Sequence, residues 1–398
     1  MGAFTNRGSP ILLAEMPAIL GMLLVRQLPP GVALLSALSA SLRDAGAWEH
    51  VALRSKNSPI CDTLPQAMAD PTFLVTGALG CIGAWTVRNL VQSGRRVVVF
   101  DLGEDMRRLR LIMTPEEVSR ATFVRGDITD FSQVQKVMND HEITHVIHLA
   151  GLQVPFCRAN PVLGAQVNVV GTVNVFESAR RREGKTQRIV YASSAAVYDV
   201  DDARPGEPVQ HDAVGHPATL YGVYKLANEG TARVHWKENR LPSIGLRPYV
   251  VFGPGRDQGL TSAPTKAMFA AAVGQPYHIP YGGRADYEYA DDTAKTFIAC
   301  ATVPFEGAEV YNTPGTVLSM HDVVSAIEHA APAMRGKVSF DDKPLPFPES
   351  LDGEPLERLL APLGGVPRKP FVEAVAETIE VFQRAVAEGR MARDEMLK

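Results

Sequence analysis

Cysteine is scarce in this 398-residue chain: Cys61, Cys81, Cys157 and Cys300 are scattered, with no CxxC pair and no Cys/His spacing. That excludes a disulfide framework and a structural zinc site as organising devices and leads to the expectation of a reducing, cytoplasmic compartment. A surplus of charge is missing as well. Lys and Arg number 40 against 44 Asp and Glu, a formal net charge of −4, which leaves no electrostatic footprint for a polyanion and sets nucleic acid aside as a ligand. Long apolar runs are lacking. The stretches 10–25 and 27–42 are broken by Glu15 and Pro17, and by Pro29, Pro30 and Gly31, short of the roughly 18 uninterrupted apolar residues of a membrane span. No internal repeat or low-complexity tract stands out. What remains, 45% hydrophobic and 21% charged residues, is an ordinary globular mix with enough length for a sizeable core.

Residues 1–67 show no alternation of strands and helices, and Met68 stands just before an apolar run. The expectation is an unstructured extension or a mis-assigned upstream stretch, with Met68 the natural start. From residue 72 the pattern changes. Strand-like runs at 72–76, 96–101, 122–126, 144–149 and 188–193 alternate with helical stretches near 82–93, 131–140 and 164–182. The runs are nearly continuously apolar, as befits strands covered by helices on both faces. Thr114-Pro-Glu-Glu117 supplies an N-cap, a first-turn proline and a capping-box acid. Repeated strand–helix units predict a doubly wound α/β fold with a parallel sheet and right-handed crossovers. Residues 68–246 are assigned to this Rossmann domain. Beyond about 247, Gly/Pro-rich stretches (247–256, 276–284, 344–348) separate shorter elements. That text suits a smaller substrate lobe over the strand ends, spanning 247–398, with elements returning to the sheet.

Three constellations carry chemistry. Gly77-Ala-Leu-Gly80-Cys-Ile-Gly83 lies between the first strand and the first helix. One glycine allows a tight turn, the next lets backbone approach a pyrophosphate, and the third lets helix and strand pack. The spacing is GxxGxxG rather than the general GxGxxG. Asp101, closing the second strand, can accept both adenosine ribose hydroxyls and favours NAD over NADP, although Arg107 and Arg108 nearby leave NADP open. Asp127 and Ile128 end the third strand, where an adenine edge would lie. The third constellation is Tyr221-Gly-Val-Tyr-Lys225, which puts Tyr221 and Lys225 four apart on one helical face. A free phenol titrates near pH 10 and is a poor base at neutral pH. An ammonium about 4 Å away is worth about 4 kcal/mol at a dielectric near 20, enough to bring the phenol toward neutrality. Ser193 and Ser194 close the fifth strand and offer hydroxyls to a substrate oxygen. Tyr198 and Tyr224 are read as packing or substrate-wall residues. His141, His145 and His148 cluster without an acid constellation, so no metal site is expected.

The glycine motif, HLAG at His148–Gly151, SSAAVY at Ser193–Tyr198, YGVYK and RPYVVFGPGR at Arg247–Arg256 occur in one order. In that combination, over about residues 70–385, the chain resembles the extended short-chain dehydrogenase/reductase family, the NAD-dependent epimerase/dehydratase group that includes UDP-glucose/galactose 4-epimerases. The resemblance implies NAD as cofactor and hydride transfer at a carbinol carbon of a sugar or nucleotide sugar. It makes Tyr221 the catalytic acid/base and has Lys225 bind the nicotinamide ribose and depress the tyrosine pKa. Ser194 would hydrogen-bond the reacting oxygen, Ala150, Gly151 and Asn168 would lie along the cofactor, and a homodimer would form through the helices near 164–182 and 221–225. Two departures bear on the substrate. Gln153 stands where 4-epimerases usually carry a lysine. Ala285 stands where nucleotide-sugar enzymes often carry an arginine before Asp286, which leaves Arg256 and Arg284 to meet a substrate anion. The stretch 255–262 also resembles family dehydrogenases acting on free sugar acids, so a net dehydrogenase is the alternative. A non-catalytic NAD-binding regulator is the alternative of another class.

Overall fold

Twelve strands run through the computed structural model, which describes residues 70–204 and 206–397; the expectation for residues 1–67 lies outside them. The strands are β1 (Thr72–Thr76), β2 (Arg96–Asp101), β3 (Thr122–Arg125), β4 (His145–His148), β5 (Arg188–Ala192), β6 (Ser243–Arg247), β7 (Val250–Phe252), β8 (Tyr277–Ile279), β9 (Arg284–Tyr289), β10 (Ala308–Asn312), β11 (Thr316–Ser319) and β12 (Val338–Phe340). Seven of them form one sheet in the order β10-β6-β5-β4-β1-β2-β3, with every neighbouring pair parallel. This is the doubly wound α/β fold. The chain winds outward from β1 to β3 and then returns to β4 on the other side of β1. The crevice at such a reversal is where open α/β sheets bind ligands.

Alternation along the strands builds two cores. Phe73 and Val75 face the helices Cys81–Gln92 and Ala290–Thr302. Leu74 and Val98 face the helices Phe131–Asp140 and Gly171–Arg180. Both sides are covered, which is why the strands read as continuous apolar runs. The Thr114 capping box is formed, with the Thr114 side chain accepting from the Glu117 amide. The helix expected near 164–182 is present over residues 161–180, with a π-turn at Gln166–Val170 inside it. Its apolar spacing continues across the π-turn, so periodicity alone does not reveal the turn; such turns often mark functional sites.

A third core belongs to the smaller lobe. It packs β7 and β9 with residues of the helices Ala263–Val273, Met320–Ala330 and Phe371–Ala387. The three-stranded sheet β11-β9-β7 is mixed, with β9 antiparallel to β11 and parallel to β7. Strands β6 and β10, from the later half of the chain, complete the edge of the large sheet.

Candidate active site

A cavity of about 500 Å³ opens along the reversal point, from Asp101 and Asp127 at one end to Ser194, Tyr221 and Tyr249 at the other. The glycine turn forms its floor. Gly77 has φ +65°, and a Cβ there would lie 2.5 Å from the Ala150 nitrogen; only glycine serves at this crossing. At Gly83 a Cβ would come within 2.3 Å of the Gly77 carbonyl oxygen, so the third glycine seats the helix on the turn. Gly80 caps that helix without a side-chain hydrogen bond, and no acidic residue occupies the first turn. The first-turn amides therefore point unpartnered toward the cavity, ready for an anion. Asp101 accepts from the Leu79 amide at 3.0 Å and from the Gly103 amide at 3.0 Å. Asp127 accepts from the Thr129 amide and hydroxyl, both at 2.8 Å. Ile128, Ala150 and Gly151 line the same trough.

At the other end the helix Leu220–Asn239 carries Tyr221 and Lys225 to the cavity wall. The Thr219 side chain starts it by accepting from the Gly222 amide. The Lys225 ammonium lies 5.5 Å from the centre of the Tyr221 ring. It donates to the Ala192 carbonyl at 2.7 Å. Burial lowers its pKa to about 8. Burial also raises the Tyr221 phenol above its ordinary value, while a hydrogen bond from Ser194 and the charge of Arg256 pull it down. Arg256 is a further cation acting on Tyr221 that its motif did not announce, beside the Lys225 ammonium near the ring.

Arg256 enters the cavity without a full set of partners. Its Nη2 donates to Thr261 Oγ1 at 3.0 Å, and its Nε is buried without a partner. Among the described residues no carboxylate pairs with it. Neighbouring Asp257 is taken by Arg108 at 2.7 Å and Arg107 at 3.5 Å. Gln153 Oε1 and the Tyr249 hydroxyl are likewise buried and unpartnered on the same wall. Tyr249, Thr261 and Phe347 are lining residues that the sequence reading passed over. They lie in irregular stretches where periodicity carries no signal; Tyr249 could have been found from its place inside RPYVVFGPGR.

Three assigned residues sit elsewhere. Ser193 borders the cavity, but its hydroxyl is turned away and donates to Glu229 Oε1 at 2.5 Å, so it is not free for substrate. Asn168 lies behind the wall. Its Nδ2 donates to the Gly164 and Leu152 carbonyls at 2.9 and 3.2 Å, so it shapes the loop after Gly151 rather than lining the trough. Arg284 is exposed on β9, 3.6 Å from Glu349, and does not line the cavity; strand alternation turns Ala285 inward and Arg284 out. Tyr198 is fully buried, a packing residue, and the Tyr224 hydroxyl donates to the Pro161 carbonyl at 2.9 Å. His148 is buried between the hydroxyls of Thr76 and Thr172 at 2.7 and 3.0 Å and pushed down to about 3 by desolvation. Among the described residues no three His, Cys, Asp or Glu side chains converge as a metal site.

The trough fits a dinucleotide on its own geometry: an uncapped helix start, a glycine crossing and a carboxylate at the end of β2. Comparison with known proteins agrees. The model of the NAD dependent epimerase/dehydratase family matches residues 73–313. An uncharacterized 37.6 kDa protein of Escherichia coli O111:H- is 32% identical over 236 residues, 57% of this chain and 68% of its own length. A UDP-glucose 4-epimerase of Mycolicibacterium smegmatis is 28% identical over 321 residues, 78% of this chain and 98% of its own. The crystal structure of a Thermus thermophilus UDP-glucose 4-epimerase in complex with NAD superposes with a TM-score of 0.65 at 28% identity, covering 79% of this chain and 99% of that one.

Proposed function

The chain belongs to the NAD dependent epimerase/dehydratase family, as an enzyme of the extended short-chain dehydrogenase/reductase type, and from that premise we propose that it moves hydride at a carbinol carbon of an anionic sugar substrate, with a nucleotide sugar as the leading candidate. The observation that carries this reading is the meeting of Ser194, Tyr221 and Lys225 at one end of a cavity whose other end is a glycine-turned, uncapped helix start. NAD, when bound, supplies the hydride acceptor. Gly77, Gly80 and Gly83 would hold its pyrophosphate, Asp101 the adenosine ribose, and Lys225 the nicotinamide ribose. Tyr221 exchanges a proton with the substrate hydroxyl, and Ser194 hydrogen-bonds the same oxygen. Burial keeps the phenol neutral, and the Ser194 hydrogen bond and the Arg256 charge offset part of that effect.

The uncompensated guanidinium of Arg256 supports an anionic substrate, since an unpaired charge in a cavity is stabilised by a counter-charge. A free sugar acid is the second reading, favoured by Arg284 standing outside the cavity. The test is a panel of nucleotide sugars, free sugars and sugar acids, followed for product and for reduced cofactor. Turnover of a nucleotide sugar without net reduced cofactor supports the leading reading. Stoichiometric reduced cofactor on a free acid moves the assignment to the dehydrogenase, and inertness of the whole panel overturns both. A homodimer is part of the proposal: Val162, Val170, Val173, Val223 and Val234 are exposed on the helices 161–180 and 220–239, an apolar set suited to a second copy. Light scattering at monomer mass would overturn it.

A further inference from the structure

The displaced Ser193 hydroxyl leads to a buried polar network behind the active site. Its acceptor, Glu229, follows Tyr221 and Lys225 at four-residue steps on the helix Leu220–Asn239, so all three lie along one face. Glu229 Oε1 receives Ser193 Oγ at 2.5 Å and Arg247 Nε at 2.9 Å, and Oε2 receives Arg247 Nη2 at 2.8 Å. Arg247, on β6, directs its remaining nitrogen to the Tyr198 hydroxyl at 2.5 Å, the His211 carbonyl at 2.6 Å and Asn312 Oδ1 at 3.3 Å. Both charged side chains are under one-tenth exposed. One turn before Lys225, the same helix is pressed against the serine loop: a Cβ at Gly222 would lie 2.0 Å from the Ala196 carbonyl oxygen. Ser194 thus sits between two fastenings of one helix, the Gly222–Ala196 contact and the Ser193–Glu229 hydrogen bond. The loop is held from the other side by the Ala195 amide on the Pro248 carbonyl at 3.0 Å.

From this arrangement we infer that Glu229 and Arg247, acting through Ser193, are positioning residues that set the register of Ser194 against Tyr221 and Lys225. Glu229 and Arg247 stand outside the cavity lining, and Ser193 borders it with its hydroxyl turned to Glu229. A pair of buried charges is a poor way to gain stability, because desolvation offsets much of the attraction. It is an effective way to fix one geometry: the bidentate fork of Arg247 and the serine hydroxyl together leave Glu229 a single rotamer, and hence the helix a single rotation. The inference rests on the proposed roles of Ser194 and Tyr221, and its test contains a readout independent of any substrate.

Two variants serve. Ser193→Ala removes one hydroxyl and leaves the ion pair intact. The double variant Glu229→Gln with Arg247→Met removes the charges together, so that neither is left buried alone. For each, kcat is measured per NAD-loaded site at a temperature where the variant is fully folded. Titration of Tyr221 is followed as the tyrosinate absorbance difference against the same variant carrying Tyr221→Phe. In Ser193→Ala, kcat per loaded site is expected to fall about tenfold or more, the effect of an ångström-scale misplacement, with KM within about threefold. Its Tyr221 titration is expected at higher pH as the Ser194 hydrogen bond loosens. The double variant is expected to shift further in both readouts. Should kcat per loaded site and the Tyr221 titration both stay within about twofold and a few tenths of a pH unit of the parent, the positioning role is overturned, whatever happens to the melting temperature. A loss of total activity matched by an equal loss of NAD-loaded sites overturns it too, since the network would then act only on the fold. Inertness of the parent toward every substrate, with the titration shift present, would instead count against the proposed function alone.

Discussion

The two ends of the cavity differ in how their polar groups are engaged. At the end where the adenosine is proposed to lie, Asp101 already accepts amides from the glycine turn and from its own turn, and Asp127 from its own, and the helix start lies open in one fixed direction. At the reaction end, Arg256 Nε, Gln153 Oε1 and the Tyr249 hydroxyl are buried without partners. An unpaired buried polar group costs about 1–3 kcal/mol, so a fold keeps such groups where a ligand completes them. On the proposed reading, the end at Asp101 and Asp127 meets the cofactor, a partner that never changes, and the end at Arg256, Gln153 and Tyr249 meets the partner that is chosen. Specificity is accordingly expected at Arg256, Gln153 and Tyr249, and cofactor affinity at the glycine turn and Asp101.

The sharpest way to break this division is at the phenol. Tyr221→Phe is expected to lower kcat by about a thousandfold, within the range for a lost general acid/base, with NAD affinity unchanged by titration of intrinsic fluorescence. Next comes Arg256→Met, expected to raise KM for an anionic substrate about fiftyfold, the worth of a charge-assisted hydrogen bond in a cavity. Because the Arg256 charge lowers the Tyr221 phenol, the same variant should move the Tyr221 titration upward in pH. Equal KM values for parent and variant would remove Arg256 from the substrate site. Asp101→Asn is expected to weaken NAD about tenfold by losing its charged acceptors, and to narrow the preference over NADP, while kcat at saturating cofactor stays unchanged.

The smallest expected effect on activity lies beneath the reaction end. Burial pushes Asp286 up to about 7 and Glu288 up to about 8 on β9. A carboxyl with a raised folded pKa binds more protons folded than unfolded, so its share of stability is complete below about pH 4 and is lost as pH rises through the folded pKa. Urea unfolding between pH 4 and pH 8 should therefore show a fall on the order of a few kcal/mol that Asp286→Asn reduces. An identical slope in the variant would show that Asp286 is charged in the folded protein.

How much could be read beforehand follows the same divide. The bounds of β1 and β2 and the glycine turn were legible because strand burial, helix packing and phosphate approach each demand particular residues at particular spacings. Ser194, Tyr221 and Lys225 were legible from their motifs in family order. The use of Ser193 was not, because two adjacent serines look alike in sequence, and only the long-range pairing of Glu229 with Arg247 decides which hydroxyl is tied down. The π-turn at 166–170 was hidden by uninterrupted apolar spacing. Arg284 opens β9 exposed while Ala285 beside it is buried in the lobe core, a placement that only the packing of β11 and β7 on either side of β9 defines.

The leading proposal, hydride movement on a nucleotide sugar without net reduced cofactor, is tested most directly by isotope. The NAD-loaded protein is given a nucleotide sugar deuterated at the reacting carbon, and the product is examined by mass and NMR. The account expects an epimer that keeps its deuterium, with no reduced cofactor accumulating. Deuterium carried off in released reduced cofactor, with a ketone or lactone as product, would contradict it.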